Sequence, residues 1–385
     1  MKRSNPRRTG PARSRTGQAG VLERTATEAP DEPAEAIHGR GTAENPRNRF
    51  EPLVVIPDNA ARDPDDPGPV TRFMRDATRS IIARNNSPDV GFGTSINPYR
   101  GCEHGCVYCY ARPSHEYLGF SAGLDFETKI LVKLDAAKLL RRELASPRWQ
   151  PQPLALSGVT DPYQPAERRL RITRACLEVL AEFRNPAVII TKNQRITRDT
   201  DVLADLASHQ AVIVNLSVTS LDVKLQRVME PRTSIPSKRL AAIEELAKAG
   251  IPVRVMVAPV IPGLNDHEIP AILKSAADAG ARGATWVMLR LPYAVKELFE
   301  AWLDRHFPER KTKVLGRIRE MRDGRLNDPD FGSRMRGTGQ MAEQIGALFD
   351  AAKRKAAIPD DIPPLNIGAF RRLDPSGQIG LFDES

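Results

Sequence analysis

From about residue 91 onward, short apolar runs alternate with amphipathic stretches of helical period. The runs lie at residues 94–96, 154–156, 187–190, 212–218, 253–260 and 286–291. Between them, Ile172, Cys176, Val179, Leu180 and Phe183 recur at offsets of 4, 7, 8 and 11, which lines one helix face. Leu240, Ile243 and Ala247 repeat the pattern before the stop signal of Gly250 and Pro252. Ile269, Ile272, Leu273 and Ala276 do so again before Gly280. Strands alternating with helices predict an α/β fold with a parallel sheet. Six strand candidates fit an incomplete (β/α)6 TIM-like barrel. An open doubly wound sheet is the alternative, and periodicity does not separate the two. Polar residues gather just after the runs: Ser157, Thr160 and Asp161, then Lys192, then Ser217 and Thr219, then Asn265 and Asp266. In barrels the C-terminal strand ends carry the chemistry, so this pattern favours a single binding face.

The flanks differ. Residues 1–70 are rich in Arg, Pro, Gly, Thr, Asp and Glu without sustained periodicity, and are expected to form a flexible basic tail. Part of it, residues 39–56 with Phe50, Leu53, Val54 and Val55, is expected to dock on the body. The barrel is assigned to residues 71–305 and a helical extension to 306–358, with helices at 314–322 and 341–355. A Pro-rich tail follows at 359–385. The formal charge of +9 suits contact with a polyanion, and much of it is local: residues 1–20 hold six Lys and Arg and no acid. No uninterrupted apolar run is long enough to cross a bilayer, and the basic start is not followed by the apolar stretch of a secretory signal. A cytoplasmic protein with reduced thiols is expected.

Reduced thiols make the cysteines informative. Three of the four fall within the segment Asn97-Pro98-Tyr99-Arg100-Gly101-Cys102-Glu103-His104-Gly105-Cys106-Val107-Tyr108-Cys109-Tyr110. Thiolates are soft ligands that hold iron–sulfur clusters or zinc. A cubane offers four irons, so three cysteines leave one iron open to bind a small molecule. Zinc normally takes four ligands, and His104 or the distant Cys176 would have to complete such a site. Cys176 sits on the apolar helix face and reads as a core thiol. His104 lies between two ligands, where reach is awkward. Gly101 and Gly105 suit a short loop that wraps a cluster.

The spacing Cys-x3-Cys-x2-Cys, with an aromatic residue before the last cysteine, resembles the signature of the radical S-adenosylmethionine (radical SAM) superfamily. It opens the β/α region directly after the first strand candidate. The resemblance implies a [4Fe-4S] cluster on Cys102, Cys106 and Cys109, and S-adenosylmethionine chelated to the open iron. It also implies an electron donor of flavodoxin or ferredoxin type, reductive cleavage of the cofactor, and a 5′-deoxyadenosyl radical that takes a hydrogen atom from substrate. Residues 259–266, Pro-Val-Ile-Pro-Gly-Leu-Asn-Asp, resemble the superfamily's adenine-contacting stretch and keep Ile261 and Gly263. Ser157-Gly158-Val159-Thr160-Asp161 takes the place of the Gly-Gly-Glu motif that binds the methionine amine, which makes Thr160 and Asp161 the candidate acceptors. Tyr108 is expected to flank cluster and cofactor.

Within the superfamily, residues 97–110, residues 160–165, Thr191-Lys192, Ser217 and Met229-Glu230-Pro231-Arg232 resemble spore photoproduct lyase and its DNA repair photolyase-like relatives. That likeness implies a lyase- or transferase-type reaction on a nucleobase, with Lys192 on the methionine carboxylate and Ser217 on the ribose or carboxylate. It departs at one point. The lyase returns a hydrogen from a cysteine near the end of its second strand, and residues 154–161 contain none. Thymine-dimer reversal by the same relay is not expected.

The tails raise two further possibilities. The basic tail and residues 310–322 could bind nucleic acid through phosphate charge, against the alternative of a merely soluble surface. Gln378-x-x-Leu381-Phe382 resembles the short peptide that anchors repair and replication proteins to the bacterial sliding clamp. The alternative is an apolar end folded onto the core. A non-catalytic nucleic-acid-binding protein with a structural cluster or zinc is the rival to the enzyme.

Overall fold

The computed structural model describes residues 35–51, 70–359 and 362–373. Most of the basic tail and the segment with Gln378, Leu381 and Phe382 lie outside the described residues. Two short strands come first, β1 (Arg72–Arg75) and β2 (Ile82–Arg84), followed by β3 (Thr94–Ile96) and β4 (Tyr99–Arg100). After the cysteine loop come α1 (Leu124–Thr128), β5 (Lys129–Val132) and α2 (Ala136–Ala145). The winding then runs β6 (Leu154–Leu156), α3 (Glu167–Leu170), α4 (Ile172–Phe183), β7 (Ala187–Thr191), α5 (Thr200–Ser208) and β8 (Val212–Ser217). It continues with α6 (Val223–Met229), α7 (Pro236–Lys248), β9 (Val253–Val260), α8 (Ile269–Asp278) and β10 (Gly283–Met288). Helices α9 (Val295–His306), α10 (Pro308–Glu320), α11 (Ser333–Arg336) and α12 (Gly339–Lys355) follow the last strand.

The main sheet has the order β10-β9-β8-β7-β6-β3-β2. Strands β3 to β10 in that row are parallel, and only β2 is antiparallel, on the outer edge of β3. The order advances in one direction and never reverses, as a doubly wound sheet would. The fold is therefore the incomplete (β/α)6 barrel with a helical C-terminal part. Five of the six sequence runs coincide with strands to within a residue. The last is displaced: the run at 286–291 marks the second half of a strand that begins at Gly283. The small residues Gly283, Ala284 and Thr285 give no apolar signal, and Leu289 and Leu291 belong to a different layer of packing. Helix α10 likewise starts at Pro308, earlier than the expected 314.

Two cores position the site. The larger packs the outward side chains of the strands, such as Val212, Val214, Leu216, Val253, Val255 and Val257, against α4, α7, α8 and α12. The opposite face of β8 carries Ile213, Asn215 and Ser217, which by alternation look into the concave side. The second core lies beyond the C-terminal strand ends. Phe299, Trp302 and Leu303 of α9 and Val314, Leu315 and Ile318 of α10 pack against Ile261, Leu264 and Leu289, and on them rest Cys106, Val107 and Tyr108. Trp302 is fully buried, stacks on Phe299, and donates from its indole to the Val228 carbonyl at 2.9 Å. The C-terminal helices thus form the floor under the cysteine loop.

Candidate active site

The loop turns on two glycines with positive φ, Gly101 (82°) and Gly105 (67°). A Cβ on Gly101 would stand 2.9 Å from both the His115 ring and the Phe126 carbonyl. One on Gly105 would stand 2.6 Å from the Glu127 carboxylate. Such approaches leave no room for a side chain, so glycine is required for space as well as for φ.

Backbone and side-chain bonds then hold the loop along its length. Cys102 N–H donates to Phe126 O (2.9 Å) and Val107 N–H to Met229 O (3.1 Å). Thr160 Oγ1 donates to Gly101 O (2.7 Å), and Gln164 accepts from Glu103 N–H at 2.9 Å. Arg112, fully buried, donates through Nε to Cys106 O (3.0 Å) and pairs with the buried Glu127 at 2.6 Å. Glu127 also accepts from Gly41 N–H (3.0 Å) and Thr42 N–H (3.2 Å), which fastens the 35–51 segment to the back of the loop. Behind the loop His115 bonds Lys129 O through Nε2 at 2.9 Å, and burial brings its pKa down to about 4.

That depression has a consequence for stability. His115 stays neutral in the fold but takes a proton near 6.5 once unfolded, so this contribution is complete above pH 6.5 and is lost as pH falls toward 4. The interval corresponds to about 3 kcal/mol. Urea titrations at pH 7 and pH 5 should show a steeper loss for the native chain than for His115→Gln. Equal losses would contradict the assignment.

The three loop cysteines lie together, and burial pushes the thiols of Cys102 and Cys106 well up, with Asp161, Glu230 and neighbouring thiols adding to the effect. Lys192 opposes it at Cys106, and Arg112 and Lys192 oppose it at Cys109. Thiolates gathered this closely would repel one another, so a cationic centre is what lets them form together. Among the described residues, no three His, Cys, Asp or Glu side chains are set to hold a single metal ion. Ligand sulfurs around one zinc would be under about 4 Å apart, whereas a cubane spreads its thiolates more widely. Among the described residues no fourth ligand joins them. Cys176 is buried in the larger core on α4, and His104 is turned to Asp161 (Nδ1 to Oδ2, 3.3 Å) and Asn193 (3.1 Å). The donor set therefore fits a cubane with one open corner.

The strand-end residues form one connected network beside these thiols. Asp161 accepts from Thr191 Oγ1 (2.7 Å) and from Lys192 N–H (2.8 Å). Burial would raise its pKa, but His104 and these donors outweigh that and lower it. Lys192 Nζ donates to Thr219 Oγ1 (2.9 Å) and Ala258 O (2.8 Å) and pairs with Glu230 at 3.2 Å. Glu230 is fully buried and also meets Arg239, Tyr108 OH and Thr219 Oγ1. Its burial alone would raise the carboxyl pKa, yet Arg239 and Lys192 hold it well below the usual carboxylate range. Ser217 O accepts from Arg239 NH1 at 3.0 Å. Ser157 Oγ donates to Thr160 O (3.1 Å), and Gly158 O accepts from Tyr110 OH (2.8 Å). Ile261 N–H and Gly263 N–H donate to Asn265 (2.6 Å) and Asp266 (3.0 Å), and Asn265 ties this turn to Thr219 O at 2.7 Å.

The network gathers Tyr108, Ser157, Gly158, Thr160, Asp161, Lys192, Ser217, Ile261 and Gly263 at the ends of β6 to β9. It also places some of them in bracing contacts: Thr160 and Asp161 spend their side-chain oxygens on the loop, on His104 and on β7. Gln164 stands in the recognised segment 160–165 without a role assigned to it, and Arg112, Glu127 and Arg239 stand in no motif, because their partners are remote in the chain.

The family model described as the radical SAM superfamily matches residues 96–276. An uncharacterized protein of Mycobacterium tuberculosis is 39% identical over 254 residues, covering 65% of this chain and 74% of that protein. An uncharacterized protein of Methanocaldococcus jannaschii is 28% identical over 173 residues, covering 45% and 62% respectively. Among solved structures, a spore photoproduct lyase variant matches with a TM-score of 0.48 at 17% identity over 74% of this chain and 78% of that one. Streptococcus suis SuiB bound to S-adenosylmethionine matches with a TM-score of 0.30 at 15% identity over 40% and 35%. On its family match and its mycobacterial relative, this chain belongs to the radical SAM superfamily.

Proposed function

We propose that the chain is a radical SAM enzyme whose [4Fe-4S] cluster is held by Cys102, Cys106 and Cys109, and that it acts on a nucleobase or another nucleic-acid component. The single observation behind this reading is the set of three thiols on one braced loop, two buried and the third partly buried, with no fourth ligand beside them among the described residues. When bound, the cluster supplies the electron that cleaves S-adenosylmethionine into methionine and a 5′-deoxyadenosyl radical. The chain's own residues do the rest. Arg112 and Gln164 fix the loop, and Met229 O anchors it at Val107. Lys192, held by Glu230, brings positive charge to the thiols and to the methionine carboxylate. Asn215 and Ser217 line the concave face where the nucleoside would lie. Asn215 Oδ1 is buried without a partner among the described residues, which suits an acceptor for a ligand N–H or O–H.

The nucleic-acid reading draws on the sequence likeness to spore photoproduct lyase and on the charge of +9. The absence of a cysteine in residues 154–161 argues for a different hydrogen donor. Among the described residues no helix is long and apolar enough to cross a membrane. A reductant of flavodoxin or ferredoxin type would be the electron source, and Gln378, Leu381 and Phe382 would anchor the chain to a sliding clamp.

Anaerobic protein loaded with iron and sulfide, given dithionite and S-adenosylmethionine, should form 5′-deoxyadenosine. With deuterated nucleic-acid components the label should appear in that product. Deoxyadenosine formation without transfer from any nucleotide or polynucleotide would remove the substrate class and keep the enzyme.

A further inference from the structure

Beyond the cysteine loop, the end of the last barrel strand carries charge that the cofactor reading does not use. Arg290 lies two residues past β10 with its guanidinium 5.4 Å from the Tyr110 ring centre. Tyr110 follows the last loop cysteine. Arg322, only 3% exposed, donates through NH2 to Leu289 O (2.6 Å) and Arg334 O (3.2 Å). Its Nε and NH1, together with Arg290 Nε, are buried and have no hydrogen-bond partner among the described residues. Among the described residues, Arg290 NH1 meets a weak acceptor, Met335 Sδ, at 3.8 Å.

Neighbouring acids do not resolve this. Asp89 is engaged by Arg334 and by Gly332 N–H (2.6 Å), and Asp328 accepts from Asp330 N–H at 2.8 Å. Arg334 takes Asp89, so Arg290 and Arg322 share the one remaining carboxylate, that of Asp328. Burial depresses the pKa of Arg290 and Arg322; Arg334 adds to the effect at Arg290 against Tyr110, Asp89 and Asp328, and Arg290 adds to it at Arg322 against Asp328. Arginine does not escape by losing its proton, so a buried guanidinium with idle donors calls for an anion. The position is also telling. The Asp89–Arg334 pair joins the β2–β3 connection to the segment after α10, spanning the side where first and last barrel strands do not pair. This position lies beside Tyr110, at the edge where the first and last barrel strands do not pair.

We propose that Arg290 and Arg322 hold a phosphate group of the substrate at this open edge. Three idle N–H donors on two separate guanidiniums match a tetrahedral phosphate, whose several oxygens accept from more than one direction. A carboxylate offers two oxygens in one plane and satisfies one fork. The inference deepens the nucleic-acid reading and rests on the cysteine loop being the reaction centre. The phosphate belongs either to a mononucleotide or to a phosphodiester backbone.

Calorimetric titration of the anaerobic holoprotein with thymidine, thymidine 5′-monophosphate and dithymidine phosphodiester separates these. One or both phosphate ligands should bind at least about tenfold more tightly than thymidine, the scale of one charge-assisted contact. The monophosphate alone would name a nucleotide source, and the diester alone a polynucleotide. Arg290→Gln should bring the ratio to about threefold or less, and Arg322→Gln, checked by thermal unfolding because it also ties Leu289, should do the same. Lys274→Gln, which removes an exposed distant charge, should leave the ratio intact. Equal binding of all three ligands, no binding of any, or an unchanged ratio in Arg290→Gln overturns the proposal. Deoxyadenosine formation by the native protein is read in parallel. Its failure would count against the radical reading and not against phosphate discrimination.

Discussion

Replacing Cys106 by alanine is expected to abolish 5′-deoxyadenosine formation and to drop iron from about four per chain to near zero. The thiol is buried on the floor built by α9 and α10, and its two partners on the loop cannot hold a cubane securely with two sulfurs. The change removes little volume and leaves Arg112 bonded to the Cys106 carbonyl, because that contact uses the backbone. Unfolding of the metal-free chain should therefore change by less than about 2 kcal/mol, in line with loss of a single small side-chain atom from a core. Cys176→Ala is the matched control: it lies in the larger core, and iron content and cofactor cleavage should persist. Iron retained in Cys106→Ala at the native level would place the cluster elsewhere.

Glu230→Gln is expected to cost about 3–5 kcal/mol of folding stability, the loss seen when one partner of a buried ion pair is removed. Both Glu230 and Arg239 have side chains 1% exposed, and Lys192 reaches the same carboxylate at 3.2 Å. Glutamine keeps the shape and leaves two cations without a counter-charge. The effect should reach the loop as well, because Glu230 receives the Tyr108 hydroxyl and the preceding Met229 carbonyl receives Val107 N–H. Iron loading should fall along with stability. Adding Arg239→Met should recover part of the lost stability, since removing both partners is milder than stranding one. The measurement is urea unfolding of the anaerobic protein. A loss below about 1 kcal/mol would show that solvent already screens the site.

The particular elements show why some of this was legible along the chain. Strand β9 alternates Val253, Val255 and Val257 with half-buried neighbours, so period and burial agree. Helix α4 carries its stripe from Ile172 to Phe183 and ends where the pattern ends. Strand β10 opens on Gly283, Ala284 and Thr285, and hydrophobicity alone places it three residues late. The exposed strand β1 has no apolar run to notice. The cysteines were legible because their spacing is itself the signal. The partners of Asp161 and Thr160 were not, because residue type reveals an acceptor but not which way it turns. Glu230 stood in a recognised segment, yet its role depends on Arg239, Lys192, Thr219 and Tyr108, which no short window contains. Arg290 and Arg322 become notable only once burial and missing partners are known.

Cofactor cleavage requires an iron atom left without a protein ligand. Electron paramagnetic resonance of the reduced, oxygen-protected protein, recorded before and after adding S-adenosylmethionine, reads that position directly. A [4Fe-4S] signal that shifts on addition of the cofactor is the predicted result. A signal indifferent to the cofactor, or a fully ligated metal such as zinc in place of iron, would contradict it.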